Sequence, residues 1–331
     1  MAELPGARPA PLPRSLEPQL ATLVRDPPQG DQWLHEIKLD GYRLICRVDR
    51  GRALLFTRYG NDWTARLPAL AQAAGLLPVG EALFDGEVVS LGPDGVASFQ
   101  ALQSALARGS PGALVYFLFD LVHCDGYDLR SVPLERRKET LGALLRRSDG
   151  GGHLRYSDHA VGRGPELFRE ACARGLEGIV SKHRSAPYRS GRTRTWLKVK
   201  CGAGQELVIG GFTDPAGSRT GIGALLVGYH DRPGTPLLVY AGRVGTGFTG
   251  RMLSFLRRRL DPLERHAPPF GNPPRPTRGV HWVEPVLVAQ VTFTGWTRDR
   301  IMRHPSFRGL REDLRPDEIV LERPAAVEAR R

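Results

Sequence analysis

Strand-like runs in the first part of this chain repeatedly place charged or aromatic side chains two positions apart, with apolar or small residues between them. WLHEIKLDG carries Glu36 and Lys38, and Asp40 too if the strand persists to the turn. ALFDGEVVSLG carries Asp85 and Glu87, LVYFLFDLVHCDG carries Phe117 and Phe119, and TRTWLKVK carries Trp196, Lys198 and Lys200. On a strand, residues i and i+2 face the same way. Ile37, Leu39, Gly86, Leu197 and Val199 then face another layer. One charged strand is usually a solvated edge. Four such strands predict sheets with an apolar face and an opposite face lining a polar cleft of both charge signs.

YRLICRVD, RALLFTRYG and RGLEGIVSKHR are further strand candidates bounded by Gly or Asp. LERRKETLGALLRR and GPELFREACARG have helical periodicity, and Gln19 to Val24 is a short helix or an extended lead-in. The pattern predicts an α+β domain with antiparallel-leaning sheets over residues 17–201. Residues 1–16 are Pro-rich, with the composition of an extended or disordered segment. Cys201-Gly202-Ala203-Gly204 marks a shift in composition and a candidate hinge. Beyond it, ELVIGGFT, ALLVGYH, PLLVYAGRVGTGF and VHWVEPVLVAQVTFTGW are strands, interrupted by the helix RMLSFLRRRL and a Pro-rich loop over 262–279. Short strands around one helix predict a C-terminal OB-fold β-barrel over 202–322, followed by a frayed tail, 323–331. No internal repeat is present.

The formal net charge is +12, which favours a polyanionic partner, with a merely Arg-rich solvated surface as the duller reading. No apolar run spans a bilayer, and the N-terminus lacks an apolar signal core, so no membrane role is expected. Cys46, Cys124, Cys172 and Cys201 are far apart in sequence and form no C-x-x-C pair, which argues against a zinc site or a disulfide framework and fits a reducing cytoplasm. Cys46 and Cys172 are expected to be buried packing residues.

A cleft with lysines, carboxylates and aromatics suits a metal-bound nucleotide. Lysines meet phosphates, carboxylates hold magnesium, and an aromatic ring covers the base. Lys38 is the candidate nucleophile. A free lysine amine is protonated at neutral pH, and nearby cations such as Lys198 and Lys200, with partial desolvation, are expected to lower its pKa. The turn at Asp40-Gly41 sends the chain back to Arg43, a bidentate phosphate donor. Trp196, Trp282 and Trp296 are expected in cores. Tyr188, Arg189, Arg192 and Arg194 form a basic loop that contacts DNA or is simply solvated.

At these residues the chain resembles the covalent nucleotidyltransferase superfamily of DNA ligases, RNA ligases and capping enzymes. The K-x-D-G-x-R motif stands as Lys38-Leu39-Asp40-Gly41-Tyr42-Arg43. In the family's order follow the element Thr57 to Asp62, the run Phe84-Asp85-Gly86-Glu87, the adenine-stacking run Phe117 to Asp120, Glu177 to Lys182, and Trp196 to Lys200. The lead-in QLATLVRDPPQGDQWLHEIKLDGYR, the run FQALQ and SFRGLRED are similar to the ligase domain of bacterial ligase D, the end-joining ligase. The resemblance covers nearly the whole chain and implies an adenylation domain followed by an OB-fold.

It also implies roles. Lys38 attacks the ATP α-phosphate and carries AMP. Glu36 and the Ile37 backbone read adenine, with Phe119 on one face of the base and Val180 under the other. Asp40 and Arg43 lie near the reacting phosphate and ribose, Glu87 binds ribose or metal, and Glu177 binds Mg2+ or Mn2+. Lys182, Lys198 and Lys200 contact phosphates, Arg58 meets the 5′-phosphate at the break, and Arg192 and Arg194 contact DNA. Arg311 is the matching position of an element thought to orient pyrophosphate. Arg311-Glu312-Asp313 runs into Leu314 here, where ligase D proteins usually carry a basic residue, so its role is in doubt. The implied activity is ATP-dependent sealing of DNA breaks in bacterial double-strand-break repair, by a monomer in the cytoplasm at the nucleoid, with a Ku-type end-binding protein as partner. The alternatives are an RNA ligase or capping enzyme, against which the Arg58 element argues, and a non-catalytic DNA-binding scaffold, against which the intact Lys38, Glu87, Glu177, Lys198 and Lys200 argue. No polymerase or phosphoesterase sequence is present, so the chain is either a standalone ligase or an excised domain, with Met1 favouring the first.

Overall fold

The computed structural model describes residues 1–108, 114–148, 152–215, 217, 220–275 and 279–325. The chain divides after Cys201: Met1–Cys201 together with residues from Arg323 onward form one unit, and Gly202–Glu322 form the other.

The first unit begins with strands β1 (Arg8–Pro9), β2 (Gln19–Leu23), β3 (Gly30–Ile37), β4 (Tyr42–Asp49) and β5 (Arg52–Thr57). Helix α1 (Pro68–Gly75), strand β6 (Glu81–Ser90), helix α2 (Phe99–Arg108) and strands β7 (Leu114–Cys124) and β8 (Tyr127–Asp128) follow. Helix α3 (Leu134–Arg146), strands β9 (Leu154–Tyr156) and β10 (Ala160–Gly162), helix α4 (Gly164–Ala173), β11 (Gly178–His183) and β12 (Gly191–Lys200) complete it. One sheet has the order β1-β8-β7-β6-β4-β5, with β9 beside β7, and the other β10-β3-β11-β12-β2. Every pairing is antiparallel except β12 with β2 and β7 with β9.

Alternation sorts the side chains into layers. On the first sheet Leu44, Cys46, Phe84, Tyr116 and Leu118 pack with Leu70 of α1, Leu102 of α2 and Leu141 of α3. On the second, Ile179, Leu197 and Val199 pack with Ala171 of α4 and with Leu167 and Phe168. Between the sheets lie Ile45, Leu83, Phe119, Val122, Tyr188 and Trp196. Full burial of each Val, Leu, Ile or Phe among them contributes about 1.5–3 kcal/mol.

Residues 1–16 are not disordered. β1 pairs with β8, the Ala10 carbonyl accepts from His123 Nε2 at 3.0 Å, and Leu12 and Leu16 pack against the inter-sheet cluster. Proline prevents regular structure in this arm, yet its leucines find apolar surface and anchor an extended path. Gln19–Leu23 is a strand, so the extended alternative holds. Tyr188 is 4% exposed and belongs to the inter-sheet core rather than to a solvated loop.

The expectation about cysteines is also overturned. Cys172 at the end of α4 and Cys201 just after β12 form a disulfide. They are 29 residues apart in sequence, but packing of α4 against the second sheet brings them together. Cys46 and Cys124 are free and buried.

The second unit holds β13 (Ala203–Thr213), β14 (Leu225–His230), β15 (Leu238–Val244), helix α5 (Gly250–Leu260), β16 (Glu264–Arg265), β17 (Val280–Phe293), β18 (Gly295–Trp296), β19 (Met302–Arg303) and β20 (Ser306–Leu310). β15, β14, β13, β17 and β20 follow one another edge to edge. The Phe307 amide donates to the Thr246 carbonyl at 2.9 Å, closing them into a five-stranded barrel. That is the OB arrangement expected, with α5 between the third and fourth barrel strands. The register of β17 on β13 jumps between Leu287 and Trp282. Pro285 sits in the jump, where its missing N–H costs no ladder bond. The Thr249 hydroxyl caps α5 by accepting from the Met252 amide. Trp282 and Trp296 pack on the barrel core, as expected.

The tail does not fray at once. The Ala325 amide donates to the Leu23 carbonyl at 2.8 Å, returning the chain to the first unit, while 326–331 lie outside the described residues.

Candidate functional site

Register fixes which side chains of the second sheet share a face. Val180 lies opposite Glu36 on one side and Lys198 on the other, and Lys182 lies between Leu34 and Trp196. Gly178 is opposite Lys200, and its carbonyl accepts from the Lys38 amide at 2.9 Å. Thus Glu36, Lys38, Val180, Lys182, Trp196, Lys198 and Lys200 form one face. Gly178 has φ 147°, and a side chain there would strike the Val199 carbonyl. Only glycine lets β11 start directly after Glu177.

The first sheet supplies the facing wall. Arg43 is opposite Glu87, and Glu87 is opposite Phe117. A bulge at Phe119 brings Asp120 opposite Asp85 and leaves Phe119 between the sheets. A side chain at Gly41 would collide with the Val88 carbonyl, so glycine is required for the tight entry into β4.

Between the walls lies an open cleft of about 190 Å3. Glu36, Ile37, Lys38, Arg43, Arg58, Glu87, Phe119, Val180, Lys182, Arg192, Trp196 and Lys198 are among its lining residues. Asp40, Glu177, Lys200 and Arg194 are not in that lining. β3 ends at Ile37, so Asp40 does not continue the shared face.

Lys38 Nζ lies 2.5 Å from Glu177 Oε2, and both side chains are 21% exposed. Burial pulls the Lys38 pKa down, Glu177 pulls it up, Lys200 pulls it down and Glu87 pulls it up; the net direction is up. The expected lowering is therefore reversed in this state, because a carboxylate partner outweighs the neighbouring cation. Arg43 differs from its expectation too. Its Nε and Nη2 donate to Asp85 at 2.9 and 2.5 Å, so that edge of the fork is occupied. Asp85 is fully buried and also accepts from Tyr188 Oη at 2.6 Å. Arg43 remains a wall of the cleft, 5.3 Å from the Phe119 ring centroid.

Lys182 was expected at phosphates. It is instead 2% exposed, pairs with Glu36 at 2.9 Å and stands 4.1 Å from the Phe119 ring centroid. Burial, opposed by Glu36, lowers its pKa to about 8. Arg311 in the second unit is held by Asp313 through two donors, at 2.8 and 2.7 Å, with Asp313 2% exposed. Arg58 lines the cleft, and its guanidinium carbon is 5.1 Å from the Tyr59 ring centroid. Arg192 and Arg194 are exposed on β12, with Arg192 Nη1 donating to the Ala21 carbonyl at 2.6 Å.

Sequence reasoning missed Lys138, Ser157, Gln19 and Leu20. Lys138 and Ser157 bond to Glu36, and Gln19 is buried with its backbone N–H donating to Tyr188 Oη at 3.0 Å. A signal for Lys138 existed. It occupies a core-facing position of α3, with Leu134 four before it and Leu141 three after, where helical spacing calls for an apolar residue.

A cleft with aromatic and aliphatic groups at one end and a lysine–carboxylate pair at the other has the shape and chemistry of a nucleotide site. The comparisons agree. Residues 18–200 match the model of the ATP dependent DNA ligase domain, and residues 218–314 match that of the ATP dependent DNA ligase C terminal region. The chain belongs to the ATP-dependent DNA ligase family. It is 43% identical to the multifunctional non-homologous end joining protein LigD of Pseudomonas aeruginosa, over 98% of this chain and 40% of that one. It is 39% identical to LigD of Mycolicibacterium smegmatis, over 89% of this chain and 38% of the relative. The chain thus spans about two fifths of the length of these curated relatives. Among solved structures it resembles mycobacterial DNA ligase D complexed with ATP and MES, with TM-score 0.69 and 36% identity over 92% of this chain and 98% of that one. It also resembles the ligase domain of LigD from M. tuberculosis, with TM-score 0.53 and 36% identity over 93% and 98% of the two chains.

Proposed function

We propose that this chain seals 5′-phosphate/3′-hydroxyl breaks in duplex DNA through AMP carried on Lys38, in bacterial double-strand-break repair. The supporting observation is the Lys38–Glu177 pair beside a cleft whose other end is formed by Phe119, Val180 and Glu36.

In the first step the Lys38 lone pair attacks the ATP α-phosphorus. A P–N bond forms, the P–O bond to pyrophosphate breaks, and the ammonium proton leaves first, with Glu177 Oε2 the nearest acceptor. Lys198 and Lys200 oppose the charge of the phosphates. Phe119 and Val180 sandwich the base, Glu36 and the Ile37 backbone read its edge, and Glu87 meets the ribose. In the second step an oxygen of the DNA 5′-phosphate attacks the AMP phosphorus and Lys38 departs. In the third, the 3′-hydroxyl attacks the 5′-phosphorus and AMP departs. Asp40 and Arg43 shape the wall near the reacting groups, and Arg58, Arg192 and Arg194 meet DNA.

Glu177 and Glu87 are hard oxygen donors, and the described residues contain no group of three or more metal-ligating side chains. A site completed by phosphate oxygens and water suits Mg2+ or Mn2+. When bound, the ion supplies neutralisation of phosphate charge. No described helix is long and apolar enough to cross a membrane. The relatives' names speak of end joining; action as a monomer in the cytoplasm at the nucleoid, alongside a Ku-type end-binding protein, is part of the same proposal.

The test is incubation with α-labelled ATP and magnesium, without DNA, after pyrophosphate treatment to discharge any preloaded AMP. Acid-labile label on the wild type, absent from Lys38→Ala, is expected. Sealing of nicked DNA but not of an all-RNA duplex, and no label from GTP, separate a DNA ligase from RNA ligases and capping enzymes. A wild-type protein that binds DNA but takes no label and carries no AMP by intact mass would make it a scaffold.

A further inference from the structure

The base end of the cleft holds one buried carboxylate between two buried ammoniums. Glu36 is 2% exposed. Its Oε1 accepts from Lys138 Nζ at 2.7 Å, and its Oε2 accepts from Lys182 Nζ at 2.9 Å and from Ser157 Oγ at 3.1 Å. Lys138 also donates to the Ser157 carbonyl at 2.9 Å and stands 4.6 Å from the Tyr156 ring centroid. Burying two lysines costs more than burying one, and Lys182 alone would balance the charge of Glu36. The second lysine comes from α3, whose Leu141 and Leu144 pack with the first sheet.

A carboxylate offers about four acceptor positions. Three are filled by these donors, and Glu36 lines the cleft, so one position remains for a bound base. We propose that Lys138 is a positioning residue for base selection: it keeps Glu36 ionised and turned so that its last acceptor position meets the 6-amino group of adenine. The inference rests on the reading of Glu36 as the residue that contacts the base. A carboxylate can only accept, so it favours a 6-amino purine over a 6-oxo purine. A neutral carboxylic acid also donates and loses that preference.

Electrostatics supports the geometry. Burial raises the Glu36 pKa, but Lys138 and Lys182 pull it down by more, and the net direction is down. The charged and titratable groups around it are Lys138 on α3, Lys182 on β11, Asp120 on β7 near both lysines, and Tyr156 and His159 at and after β9. Burial holds His159 below its ordinary value, so it stays neutral near neutral pH. Lys182 keeps its proton below about 8.

The experiment measures step-one kcat/KM for α-labelled ATP and inosine triphosphate, at roughly pH 6 and 7, on the acid side of the Lys182 transition. The wild-type ratio should be high and flat with pH. Lys138→Gln should lower it about tenfold or more, chiefly through the KM for ATP, and lower it further at the acid end, because Glu36 then protonates more readily. Lys138→Arg keeps the charge but moves the donors, so its ratio should fall without becoming pH-dependent. A folded Lys138→Gln with the wild-type ratio at both pH values overturns the proposal. If that variant does not fold, an unchanged ratio in Lys138→Arg overturns it equally. Glu36→Gln serves as the separate control. If it keeps the wild-type ratio, the reading of Glu36 at the base has failed, whereas a lowered ratio there with no effect at Lys138 sinks only the role of Lys138.

Discussion

Reducing the Cys172–Cys201 bridge should soften the first unit by an amount that its loop length sets. The bridge closes a loop of 29 residues. Chain-entropy reasoning, with about 2.1 + 1.5R ln n cal/mol/K lost from the unfolded state, gives about 12 cal/mol/K, or about 3.6 kcal/mol at 25 °C. For a unit of this size about 1 kcal/mol moves the midpoint by roughly 2–4 °C, so reduction should lower the first unit's melting midpoint by roughly 7–14 °C. The assay is a thermal melt with and without a thiol reductant, with alkylation and intact mass to count free thiols. The double variant Cys172→Ser with Cys201→Ser should melt near the reduced wild type and ignore the reductant. Cys46 and Cys124 are buried and should alkylate only on unfolding. Four alkylated thiols with no change in midpoint would refute the loop-closure reasoning. Four free thiols in oxidised, denatured protein would refute the bridge itself.

Three further outcomes follow from the site and its supports. Glu177→Gln removes the carboxylate that holds the Lys38 pKa up. Since the neutral amine reacts, the acid limb of the adenylation rate should move to lower pH even if the maximal rate falls; an unmoved limb would mean that another group sets it. Phe119→Leu should raise the KM for ATP roughly 2–12-fold through lost ring stacking, and an unchanged KM in a folded variant would remove Phe119 from the base site. Tyr188→Phe strips Asp85 of a donor and the Gln19 amide of its acceptor, both buried. It should cost about 1–3 kcal/mol in denaturant unfolding, and a loss within error would show that the pair is not holding the sheets together.

The cleft was readable from the sequence because strands expose alternation directly: Glu36, Lys38, Glu87, Trp196 and Lys198 line it, whereas Asp85 and Lys200, on the same spacing, lie outside the lining. The barrel was readable for the same reason. What stayed hidden depends on contacts that strand periodicity does not encode. Glu36 meets Lys138 across 102 positions of sequence, and Gln19 meets Tyr188 across 169. The same blindness concealed the partner choices of Lys38, Arg43 and Arg311. Each was correctly seen as charged, but the neighbouring carboxylate that captures it was not. The Pro-rich arm misled in another way, since composition reports the absence of regular structure and not the apolar shelf on which Leu12 and Leu16 rest.

The pairing of β3, β11 and β12 has a consequence for how this site tolerates change. The strands are read in a frame of two: even steps from Glu36, Val180 and Lys198 stay at the cleft, and odd steps reach the layer against α4. Sliding β11 by a single residue would turn Lys182 away from the cleft, into the place of Ser181 or His183, while pulling Ile179 into the cleft. A frameshift of the sheet therefore destroys chemistry and core at one stroke. Point substitutions can tune this site, but a one-residue insertion or deletion within these strands should be purged as an unfolded protein before its loss of activity is ever tested.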